Sequence, residues 1–181
     1  MIRLAIVSAV ALVLFVAPLS AQQHEEHQEH EALKRHQLAL FTGYTWVPKG
    51  NPHEGDPEGT VIAPTIGIDY SFWISHKWGV GLYNDLELTS YVIETSADTT
   101  IPREYAYVGA IVGVFEPTPG LGLFAGPGVE LEPHENFFVL KVGFEYAFAI
   151  ANGWSTGFVF GYDFKEEYDS FALGISVARR F

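Results

Sequence analysis

Beyond Arg35 the chain alternates. From Leu38 to Trp46 the bulky or strand-favouring residues fall on every second position: Leu38, Leu40, Thr42, Tyr44 and Trp46. Seven further stretches repeat the pattern: Ile62 to Phe72, Trp78 to Leu88 (with Asn84 out of step), Glu104 to Phe115, Leu121 to Leu131, Phe138 to Phe148, Trp154 to Phe164, and Phe171 to Val177. A period of two is the mark of a strand, because successive side chains leave on opposite faces. In the fourth stretch both faces are apolar, and Tyr105, Tyr107, Ile111 and Phe115 are taken as one set. No run of ten or more residues here repeats apolar positions at helical spacing. The pattern predicts an all-β chain of eight strands.

The connections alternate in length. "VPKGNPHEGDPEG" and "SYVIETSADTTIP" are long, "EPHEN" and "KEEYD" moderate, and "SHK", "EPTPG" and "ANG" short. Asn152-Gly153 is a favoured hairpin pair. Strands of about ten residues suffice to cross a bilayer when tilted. Short turns at one end with longer loops at the other suit an up-and-down transmembrane barrel.

Volume decides which face points inward. An eight-stranded barrel has room inside only for its own side chains. Two adjacent strands alone carry Phe138, Phe144, Tyr146, Phe148, Trp154, Phe158, Phe160 and Tyr162 on one face. Such a set from all strands would overfill a soluble calyx. The opposite face fits: Gly79, Gly81, Gly122, Gly126, Gly128, Gly157, Gly161, Ala172, Gly174 and Ser176. Among these lie Asp69, Asp85, Glu87, Glu104, Glu130, Lys141, Glu145 and Asp163. The expected fold is therefore a closed eight-stranded antiparallel transmembrane β-barrel, large residues toward lipid. Closure leaves no strand edge unpaired in hydrocarbon. Trp46, Tyr105 and Phe164 are placed at one rim; Phe72, Trp78, Phe148, Trp154 and Phe181 at the other.

Composition agrees. Only 18% of residues are charged and 15% are aromatic, and the formal net charge is -12. Excess acid argues against a nucleic-acid partner, which needs clustered Lys and Arg. The absence of cysteine excludes disulfides, thiolate metal sites and a thiol nucleophile. At the N-terminus, Arg3, an apolar run from Leu4 to Ala17 and small residues up to Ala21 read as a secretory signal peptide. The expected organisation is a signal peptide at 1–21, a His- and Glu-rich linker at 22–36 and a barrel at 37–181.

The final stretch "FALGISVARRF" resembles the C-terminal strand of bacterial outer-membrane β-barrels, which ends on an aromatic residue. "HQLALFTGYTWVPKG" and "GPGVELEPHENFF" are similar to stretches of small exported barrels of the eight-stranded class. The resemblance implies a bacterial outer-membrane location, outer-membrane lipid as surroundings, and Phe181 as the assembly signal read by the barrel-assembly machinery. It brings no known activity with it. A monomer with both termini in the periplasm is expected.

Candidate chemistry is sparse. His24, His27 and His30 lie three apart among glutamates, a composition that suits a weakly held divalent metal. His53 and His134 sit in two similar Pro-His-Glu segments, with Asp56, Glu58 and Glu132 near in sequence, and are weaker metal candidates. No cofactor is expected. The interior acids admit two readings: a cation-selective pore, or a packed polar core in which Lys141 and Arg180 pair with acids, Glu145 being taken as Lys141's partner. The core reading is preferred, because small barrels are filled by their own side chains. No G-x-S-x-G occurs, and no residues fill a set of catalytic roles, so a hydrolase or acyl transferase using Ser and His at the rim stands only as a further alternative behind the channel.

Overall fold

Eight long strands close into a ring in the computed structural model, which describes residues 33–51, 59–94, 100–133 and 135–181. They are β1 (His36–Val47), β3 (Val61–Trp73), β4 (Trp78–Glu87), β7 (Tyr107–Thr118), β8 (Leu121–Leu131), β9 (Phe137–Ala149), β10 (Trp154–Lys165) and β11 (Asp169–Arg180). Every neighbouring pair is antiparallel and follows chain order. The ring closes where β1 meets β11, from Gln37 opposite Arg180 to Trp46 opposite Phe171. His36 and Phe181 exchange both backbone hydrogen bonds beyond that ladder, at 3.0 and 2.8 Å.

The wall has the expected inside and outside. Leu40, Ile66, Ile68, Leu82, Ile111, Phe138, Phe144, Phe158, Leu173 and Ile175 all stand exposed on its outer face. Such an apolar face needs lipid rather than water as its surroundings. Stacked aromatic pairs mark both rims: Trp46 on Phe171 at one, Trp78 on Phe115 and His36 on Phe181 at the other.

The two ends differ. One carries both strand termini of the barrel and the tight turns, and is called the termini end. Asn152 and Gly153 there have φ of 53° and 81°, the left-handed pair that a two-residue hairpin requires. The other, the loop end, carries a second small sheet. Three short strands build it: β2 (Gly50–Asn51), β5 (Ser90–Glu94) and β6 (Thr100–Glu104), in the order β2-β5-β6.

That sheet corrects the reading of "SYVIETSADTTIP" as a plain loop. It also moves Glu104, which is exposed on β6 rather than inside the barrel. The barrel strand begins only at Tyr107, because Tyr105 takes a left-handed φ of 51° and turns the chain. "KEEYD" shrinks as well: β10 runs to Lys165 and β11 starts at Asp169.

Candidate functional site

The lumen is built from the inward positions of the eight strands, in three layers. At the loop end, Val47, Val61, Tyr91, Ile93, Phe137 and Tyr168 form one apolar cluster, with Ile101 packed against it. The small sheet supplies Tyr91, Ile93 and Ile101, so it lies over the barrel mouth with a core of its own.

Beneath this cluster sit fully buried charges. Arg103, projecting from β6, forms an ion pair with Glu130 of β8 and a second with Glu132 at 3.4 Å. Its Nη1 donates to the Glu135 carbonyl at 2.6 Å, and its guanidinium lies 4.7 Å from the Phe137 ring centre. Glu130 also pairs with Lys165 and accepts from the Tyr168 hydroxyl at 2.6 Å. The Tyr91 hydroxyl donates to Glu87 at 2.8 Å and lies 3.2 Å from that of Tyr168. Burial holds the Tyr91 and Tyr168 phenols above their ordinary range, so both stay neutral donors. Buried charges are tolerable only with such dense pairing. Arg103 and Glu130 have no exposed surface at all.

The middle layer is smaller. Lys141 on β9 lies 2.9 Å from both Asp85 and Asp163. Asp69 accepts the backbone N–H of Asn84 at 3.0 Å, where the ladder between β3 and β4 is interrupted. The out-of-pattern Asn84 donates from its own side chain to the Ile68 carbonyl at 2.8 Å. Tyr83 packs on Phe124, ring centres 5.0 Å apart.

At the termini end, Glu145 accepts from the Ser176 hydroxyl. The pairing of Lys141 with Glu145 is thereby corrected: Glu145 lies further along the barrel, and Asp85 and Asp163 take the ammonium instead. Arg180 pairs with Glu116 at 3.2 Å and lies over the Trp73 ring at 3.7 Å. Here the lumen is hollow, with a cavity of about 510 Å³.

Arg103, Lys165, Tyr91 and Tyr168 were not among the residues singled out from sequence. Lys165 was within reach, since it occupies the next inward position after Asp163. The histidine candidates His24, His27, His30, His53 and His134 all lie outside the described residues. Of their acidic neighbours, Glu132 is engaged by Arg103.

The barrel matches solved structures. The attachment invasion locus protein Ail of Yersinia pestis is 14% identical, with 81% of this chain and 98% of that chain covered and a TM-score of 0.51. Ail in complex with the heparin analogue sucrose octasulfate gives 14% identity, coverage of 81% and 99%, and a TM-score of 0.50. Neisserial surface protein A gives 10% identity, coverage of 81% and 97%, and a TM-score of 0.50. No protein-family model and no curated protein matches the chain. The chain thus has the fold of the small eight-stranded outer-membrane β-barrels.

Proposed function

We propose that this is an integral barrel of the bacterial outer membrane with a structural or surface-interaction role and no open pore. One observation carries the reading: the buried layer of Arg103, Glu130, Lys165 and Glu87 under the β2-β5-β6 sheet. An ion crossing the loop end would have to part these pairs, and a buried charge left unpaired costs roughly 3–5 kcal/mol. A conducting barrel needs a hydrated lane there instead. A folded sheet over the mouth also suits a surface that meets partners. The similarity to a barrel named for attachment and invasion fits that role.

The same reading assigns the surroundings. The apolar outer face contacts outer-membrane lipid, the barrel acts as a monomer, and the barrel-assembly machinery reads Phe181 during insertion. The termini end faces the periplasm and the small sheet faces outward, after removal of the signal peptide at 1–21. The His-rich segment has at most a weak hold on a divalent metal, and no cofactor or catalytic role is assigned.

Planar-bilayer recording of the purified barrel tests the closed lumen. No steady conductance is expected, with or without added zinc. Cation-selective steps in the unmodified protein would establish the channel alternative and overturn the reading. Orientation is tested separately, by labelling an epitope placed at Gly55 on intact cells. Labelling only after cell breakage would reverse it.

A further inference from the structure

The inward wall at the termini end is made of small residues, among them Gly120, Gly122, Ala147 and Ala149. A methyl group added at Gly122 would meet no atom within 4 Å. These residues leave the cavity of about 510 Å³, inside the roughly 300–1,000 Å³ typical of small-molecule sites. Its lining includes the aromatic rings of Trp73, Tyr83 and Phe124.

Three charged groups reach this space: Glu116, Glu145 and Arg180. Arg180 is already engaged. It pairs with Glu116 at 3.2 Å, donates to Gln37 at 3.3 Å, and covers the Trp73 face at 3.7 Å. Trp73 in turn donates its indole N–H to Gln37 at 3.1 Å. Glu116 is held by Arg180 and by the Gly120 N–H. Glu145 differs: it takes the Ser176 hydroxyl, and among the described residues it forms no ion pair. Among the described residues that line it, the cavity therefore offers a carboxylate beside aromatic rings, and its one cation, Arg180, is paired with Glu116. Carboxylate and ring face together are the two features that recognise an organic cation.

We propose that this cavity binds a small organic monocation with an apolar body, an amine or quaternary ammonium compound. The charge lies against Glu145 and the body against Tyr83 and Phe124. An anion meets two carboxylates and a guanidinium already paired. A neutral aromatic compound fills the same space but leaves Glu145 without a counter-charge. The site lies at the end of the lumen opposite the small sheet, and it does not depend on whether the barrel conducts.

The test uses the folded full barrel in lipid nanodiscs, with benzyltrimethylammonium as probe and benzyl alcohol and benzenesulfonate as neutral and anionic comparators. Binding is read from the backbone amide signals of Gly120, Gly122 and Ala147. Benzyltrimethylammonium is expected to saturate, benzyl alcohol to bind about tenfold more weakly, and benzenesulfonate not to bind. Glu145→Gln should weaken the cation about tenfold. Gly122→Leu, which fills the cavity from the position opposite Glu145 and leaves that carboxylate in place, should abolish binding in a barrel that still migrates as folded on an unheated gel. Absence of saturable binding overturns the proposal. Equal affinity for benzenesulfonate overturns it, as does cation binding that survives both substitutions.

Discussion

The two ends of this barrel share one wall and have opposite interiors. At the loop end, inward positions carry Glu87, Glu130 and Lys165, and the small sheet adds Tyr91, Ile93 and Arg103 from above. At the termini end, inward positions carry Gly122, Ala147 and Ala149, and the space stays open. The outer face is indifferent to this change: exposed apolar residues continue along both halves, from Ile62 and Leu131 to Leu38 and Trp154. In a barrel of this size the lumen is thus tuned independently of the membrane face. One set of alternate residues meets lipid, and the other is free to seal or to hollow out either end.

The largest effect should come from breaking the sealed end at its centre. Arg103→Ala leaves Glu130 and Glu132 without their guanidinium, in a place buried from solvent. Removing one member of a buried pair costs roughly 3–5 kcal/mol. Unfolding in urea should show that loss. Protease should cut the β5–β6 region in the variant long before it reaches the barrel wall. A variant as stable and as resistant as the parent would mean that the charges do not hold the sheet in place.

A smaller effect should follow from the two cap tyrosines. Tyr91→Phe removes the donor to Glu87 and should cost about 1–3 kcal/mol, the price of an unsatisfied buried acceptor. The same phenol gives a pH dependence. Burial first, and then the charge of Glu87, raise Tyr91 well above its ordinary value. Above about pH 10, the ordinary phenol value, the unfolded chain loses protons that the folded cap retains, so stability declines as pH rises. Below that pH the contribution is complete. Hydrogen exchange of the β5 and β6 amides should accelerate above about pH 10, and less steeply in Tyr91→Phe. A cap whose exchange responds to pH above about 10 identically with and without the Tyr91 hydroxyl would contradict this assignment.

These effects trace to residues of unequal visibility in the sequence. Most of the wall strands were legible because they hold a period of two along their length, and because lumen volume then separates inside from outside; the fourth, apolar on both faces, was the least clear, and it starts at Tyr107 rather than Glu104. Interior acids such as Asp85, Glu130 and Asp163 came with that parity. The partners of Lys141 did not, since alternation sets the face of a residue but not its height in the barrel relative to other strands. Arg103 was hidden for another reason. Its strand has five residues, too few for a period to stand out from a polar connection. Its meaning depends on Glu130 and Glu132, which only the folded loop end brings to it. The hollow at the other end left a trace in the small residues of β8 and β9, but their smallness alone suited close packing equally well.

The smallest expected effect separates those two meanings of glycine. Gly122 and Gly126 lie on the same strand with the same parity, four residues apart. A methyl at Gly126 would fall 1.9 Å from the Ile111 carbonyl oxygen and 2.7 Å from the Val112 Cα, so the backbone must move. A methyl at Gly122 enters open space. Where the native backbone accepts it, replacing glycine with alanine stabilises by about 0.4–1 kcal/mol, because the unfolded chain has fewer conformations to lose. Gly122→Ala should therefore raise the urea midpoint slightly, while Gly126→Ala lowers it. If both substitutions destabilise alike, the termini end is as tightly packed as the middle of the barrel, and the contrast between a filled and a hollow lumen fails there.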